Sequence, residues 1–151
     1  VGDGPEKDKL KKIANPNIRF NGNDTNKNIE KLMSTCRAFV YAGVEDFGIA
    51  PIEAMASGAP VIALAKGGLL DSVNCLTKKS KNNISTGILF KEQNVSNIVD
   101  TVNWFEEKKI WRKFNPAIQN KFAQEFSHDK FKLKLDKFIN KSWDDFQKNK
   151  S

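Results

Sequence analysis

The sequence has no long apolar run: nothing in its 151 residues approaches the roughly eighteen apolar residues of a membrane-spanning helix. Histidine is nearly missing, with His128 alone, and its place beside Ser127 at an expected helix start makes it a poor general base. The two cysteines, Cys36 and Cys75, have neither CxxC nor zinc-ligand spacing. Free thiols in a reducing cytoplasm are the expected state. With no His/Cys cluster and no Asp/Asn-rich loop, no metal site is expected. Internal repeats, an RNP signature and a helix-turn-helix signature are also missing. No signal-peptide pattern is visible, but Val1 opens in mid-motif without an initiating Met. That absence therefore says nothing of the intact protein, whose true start is expected upstream.

What is present suits one domain, residues 1–151, with a real core and no room for two large ones. Apolar residues make up 39% and charged residues 28%, the balance of a soluble globular protein. The net charge of +7 permits diphosphates, acidic membrane surfaces or nucleic acid as partners. A compositional bias of the source genome toward Lys and Asn explains the same charge, and that plain reading comes first.

Along the chain, Gly2-Asp3-Gly4 reads as a turn and residues 6–14 as a helix begun by Pro5, with Leu10, Ile13 and Ala14 spaced for one buried face. Residues 17–21 read as a short strand. Asp24 or Thr25 caps a helix over residues 27–35, with Ile29, Leu32 and Met33 inward. Gly67-Gly68 opens a short helix ending near Val73, and residues 74–85 form a polar, basic loop. Residues 88–90 return to strand, and residues 95–106 form an amphipathic helix. From Ile110 onward the pattern is helical, with Trp111, Phe114, Phe122, Phe126, Phe131, Phe138, Trp143 and Phe146 expected to bury much of their surface. Strands alternating with helices predict an α/β fold, a doubly wound parallel sheet, with 110–151 a helical extension.

The most informative stretch lies in the middle. Residues 38–42, Ala-Phe-Val-Tyr-Ala, read as a buried strand; residues 49–57 read as a helix with Pro51 in its first turn; residues 60–64 read as a second buried strand. This is a βαβ unit, which makes its strands parallel neighbours, and such sheets bind ligands beyond the strands' carboxyl ends. Glu45 lies on that rim. Glu53, eight residues on and about a turn into the helix, can face the same crevice, in apolar surroundings where a carboxylate needs a partner. Between them the free amides near Gly48, Ile49 and Ala50 make a backbone anion site. Two carboxylates flanking an anion site suit a ligand with phosphates in the middle and hydroxyls at both ends, the shape of a nucleotide-sugar.

Residues 45–58, Glu-Asp-Phe-Gly-Ile-Ala-Pro-Ile-Glu-Ala-Met-Ala-Ser-Gly, resemble the E-x7-E donor motif of retaining family-4 glycosyltransferases. With Lys66-Gly67-Gly68 after the next strand, they most resemble the bacterial O-antigen mannosyltransferases, and the likeness covers nearly the whole chain, as far as Phe126-Ser127 and Phe131. The resemblance implies a Rossmann-like, donor-binding half of a GT-B enzyme, with the acceptor-binding N-terminal half absent. Also absent would be an Arg and a Lys before Val1 that hold the donor diphosphate. It implies that Glu45, the candidate catalytic residue, lies near the donor sugar, and that Glu53 takes the ribose hydroxyls. Asp46, Phe47, Gly48, Ile49 and Ala50 complete the donor-binding set, and Gly22 and Asn23 meet the nucleotide base. Phe47 suits loop anchoring as well as ligand contact, and Lys66 reads first as a solvated lysine. No cofactor is implied beyond the donor, plausibly GDP-mannose, and no metal.

The function expected is transfer of a hexose, with retention, to a glycan or lipid-linked acceptor in polysaccharide biosynthesis. The location expected is cytoplasmic, with peripheral association at the inner face of the membrane, and this fragment alone is expected to be inactive. Two rivals stand beside it: a nucleotide-sugar-binding module without turnover, and a basic nucleic-acid-binding domain. The second would need exposed aromatics on a platform beside basic residues, and no nucleic acid is the expectation.

Overall fold

The computed structural model describes residues 1–76 and 84–148. Three parallel strands form its sheet in the order β1-β2-β3: Phe39–Tyr41, Val61–Leu64 and Gly87–Phe90. Phe39 pairs with Val61 and Tyr41 with Ala63, so the first two strands are the expected neighbours. The crossover between them is α3, Ile49–Ala56, which Ser57 closes by donating its N–H to the Glu53 carbonyl at 2.9 Å. Gly58 follows at φ +93°, the left-handed turn that ends the helix and returns the chain to the sheet.

All four residues of β2 are buried, because helices cover both faces of the sheet. On one face Val61 and Ala63 join Ala54, Met55, Leu69 and Val73. On the other Ile62 and Leu64 join Ile88, Phe90, Phe105 and Phe114. The alternation along one short strand therefore feeds two cores, as a doubly wound parallel sheet requires.

The remaining helices are α1 (Lys7–Ile13), α2 (Asn26–Thr35), α4 (Leu69–Ser72), α5 (Val95–Glu107), α6 (Pro116–Ala123) and α7 (His128–Lys148). Four begin on side-chain caps: Thr25 accepts from the Asn28 N–H, Asn94 from Asn97, Asn115 from Ala117 and Ser127 from Lys130. Helix α6 locks the central unit in place. Asn120 donates to the Ala56 carbonyl at 2.6 Å, and the buried Gln119 donates to the Ser85 carbonyl at 3.0 Å.

Five expectations need correction. Strand β1 is not buried: among the described residues it pairs with β2 alone, and at that sheet edge Val40 is 47% exposed while Phe39 and Tyr41 are half-buried. Helix α1 buries nothing: Leu10 and Ile13 are 46% and 74% exposed, because no described element packs on their face. Leu32 is also largely exposed, leaving Met33 to carry the inward face of α2 with Ile29 half-buried. Residues 17–21 form no strand: the ladder-like bond nearby, Gly2 N–H to the Gly22 carbonyl at 2.7 Å, falls one residue beyond them. A single rung does not make a ladder. In the tail, Phe114 is buried and Trp111, Phe122 and Phe126 are half-buried, but α7 buries no residue and leaves Phe131, Phe138 and Trp143 exposed. Much of the polar loop expected over residues 74–85 lies outside the described residues.

Candidate functional site

Beyond the carboxyl end of β1 the chain runs through Gly43 to Glu45 and turns into α3 at Gly48. This loop sits directly on the turn that follows β2. The Gly68 N–H donates to the Glu45 carbonyl at 2.8 Å. A Cβ on Gly67 would collide with the Glu45 carbonyl oxygen, and one on Gly68 with that of Asp46. Gly48 has φ +85°, and a Cβ there would come within 2.7 Å of Leu69 Cδ2. Gly67 and Gly68 thus let two loops meet backbone to backbone, and Gly48 makes the left-handed turn onto Leu69 from which α3 begins.

At that start the first-turn amides, including those of Ile49 and Ala50, have no intrahelical acceptor and face outward with the positive end of the helix dipole. Ile49 is exposed and Ala50 half-buried. One turn on, Glu53 is exposed rather than set among buried neighbours as its sequence suggested. Its side chain stands on the helix face turned away from Ala54 and Met55, so it needs no internal partner.

Glu53 and Ala50 line a cavity of about 630 Å³, together with Asn23, Gly2, Met33 and Tyr41. The cavity lies between the outer edge of β1 and the segment around Val1 and Gly2. Gly22 does not line it. Gly22 is buried at φ +65°, and its carbonyl holds Gly2 while its turn delivers Asn23 to the wall.

Glu45 is exposed at the rim and is not part of the cavity wall. It is joined to it by Tyr41, whose hydroxyl donates to Glu45 Oε1. That hydrogen bond first, then partial desolvation and the charge of the carboxylate, push the Tyr41 phenol above its ordinary range. Tyr41 is the residue that sequence reasoning missed, although a tyrosine four places before the candidate carboxylate was the available signal.

Phe47 makes an edge-to-face contact with Phe126 at 5.9 Å between centroids and keeps 48% of its surface exposed. Asp46 is exposed, its backbone carbonyl packed against Gly68, and Lys66 is exposed. Cys36 also lines the cavity, and burial pushes its thiol up. The described residues contain no group of three or more His, Cys, Asp or Glu able to hold a metal ion, and no helix among them is long and apolar enough to cross a membrane.

Residues 1–142 match the family described as glycosyl transferases group 1. The chain belongs to that family. Among solved structures it is similar to sucrose-phosphate synthase from Thermosynechococcus elongatus, with a TM-score of 0.71 at 21% identity. The match covers 94% of this chain and 37% of that one. At that identity the likeness speaks for the fold, a GT-B glycosyltransferase fold with a parallel sheet and C-terminal helices. No curated protein matches the chain. Exposed aromatics on α7 withhold the argument that burial would have supplied against a nucleic-acid platform, so the case against one rests on the family match alone.

Proposed function

We propose that the chain is the donor-binding half of a retaining glycosyltransferase, one that transfers a hexose, mannose from GDP-mannose, to a glycan or lipid-linked acceptor. The observation that carries this reading is the arrangement at the start of α3. Glu53, Ala50 and Asn23 share one cavity wall, the free amides of the helix start stand beside them, and Glu45 sits at the rim. Ribose hydroxyls at Glu53, diphosphate at the amides and sugar hydroxyls at Glu45 would follow the order of parts in a nucleotide-sugar.

On this reading none of the described side chains serves as a proton-transfer catalyst or nucleophile. Departure of the diphosphate and attack from the same face would give retention, with catalysis resting on positioning and on the helix-start amides that take up charge from the leaving group. Those amides would serve where other transferases use a cation, so the reaction is read as metal-independent. The acceptor would be held by a separate half, and the unburied apolar face of α7 is where we place contact with it. Peripheral attachment at the inner face of the cytoplasmic membrane suits a lipid-linked acceptor and the net charge of +7.

Calorimetric titration with GDP-mannose and UDP-glucose tests the donor. Saturable binding of GDP-mannose, with weaker binding of UDP-glucose, is the expected result. No binding of either would contradict the donor-site reading, and preference for UDP-glucose would replace the donor. A purified chain that binds donor without transferring sugar fits a donor half, and transfer by this chain alone would contradict the need for a second half.

A further inference from the structure

We propose that Tyr41 is the positioning residue for Glu45, holding one carboxylate oxygen so that the other is presented to the donor sugar. The proposal rests on the reading of Glu45 as the sugar-side carboxylate, and three placements carry it. The Tyr41 hydroxyl donates to Glu45 Oε1. The ring itself is anchored, stacked on Phe39 with centroids 6.2 Å apart and planes 11° from parallel. It also lies over Gly43, where a Cβ would come within 2.7 Å of the hydroxyl oxygen and 2.9 Å of Cε1 and Cζ. Any side chain at position 43 would push the phenol away. Finally, Tyr41 lines the cavity that holds Glu53, Ala50 and Asn23, so one side chain reaches from the cavity wall to the rim.

A carboxylate on an exposed loop has rotamer freedom that a ligand must otherwise freeze. A hydrogen bond from an anchored phenol removes that freedom before the donor arrives. The second oxygen, an acceptor only, then suits a sugar hydroxyl. Asp24, Glu53, the Cys36 thiol and the Val1 amino group are the other ionisable groups around the cavity, and the hydroxyl's hydrogen bond goes to Glu45.

Tyr41 is the chain's one tyrosine, so the ultraviolet absorbance of tyrosinate during alkaline titration reads this residue alone. The wild-type phenol is expected to ionise above the ordinary range, and Glu45→Ala to return it there. In parallel, Tyr41→Phe, which keeps the ring, is titrated calorimetrically with GDP, GDP-mannose, UDP and UDP-glucose. Affinity for the nucleotide-sugar that binds should fall about three- to tenfold, as for loss of one hydrogen bond, with the nucleoside diphosphate unchanged. Unchanged sugar affinity, or equal losses for sugar and diphosphate, would overturn the positioning role. A phenol that ionises normally in the wild type would overturn the pairing itself, whatever the chain binds. Failure of the wild type to bind any of the four ligands while the phenol stays displaced would overturn the donor reading, and with it the role given to Tyr41.

Discussion

Glycine at position 68 has an ordinary backbone, with φ −62°, so its place is explained by space alone. Its missing Cβ lets the turn after β2 lie against the Asp46 carbonyl and donate its N–H to Glu45. Gly68→Ala would force those backbones apart, the situation of an overfilled core, and should cost about 1–3 kcal/mol. Urea unfolding would measure this, and an unchanged midpoint would show that the loops separate freely. Phe47 contributes from the opposite side of the same loop through its edge contact with Phe126, a kind of pair worth about 0.5–1.5 kcal/mol. The loop that carries the rim carboxylate is thus held by packing against Gly68 and Phe126.

Among the elements, α3 and α7 are opposites. Helix α3 is wedged between the sheet and α6, with Ala54 and Met55 fully buried and Asn120 bonded to the Ala56 carbonyl at its end. Helix α7 has a strong apolar stripe but buries no residue. Ending the chain after Ser127 should therefore lower stability by less than about 1 kcal/mol, within the range of surface changes. Thermal melting followed by circular dichroism checks this, and a loss of several kcal/mol would mean that α7 supports the domain core. The same contrast explains what could be read from the residues. Val61–Leu64 and the helix at Ile49 were legible because unbroken apolar runs between glycine and proline signals admit few alternatives. The spacing of Leu10 and Ile13 gave a helix face, but periodicity says which residues share a face and not whether anything covers it. Residues 17–21 had strand-like composition, yet a strand exists only through its pairing. The E-x7-E spacing singled out the loop between β1 and α3, whereas the hydrogen bond from Tyr41 depends on that loop doubling back, so its four-residue spacing from Glu45 was a signal that only the fold turns into a contact.

For the molecule as a whole, a helix start and two carboxylates come together beside β1, Glu45 after its carboxyl end and Glu53 on the wall of the cavity along its edge. The central claim is a division of labour along one ligand, with Glu53 at the ribose and Glu45 at the sugar. Their placement motivates it: Glu53 is on the cavity wall, Glu45 is at the rim, and the helix-start amides lie between. The direct measurement is calorimetric titration of GDP and GDP-mannose against Glu53→Ala and Glu45→Ala. Glu53→Ala should weaken both ligands alike, by about 1.5–3 kcal/mol for a lost hydrogen bond to a charged group. Glu45→Ala should leave GDP nearly unchanged and weaken GDP-mannose alone. Equal loss of GDP affinity in the two variants would contradict the division of roles, and no loss in either would contradict the site.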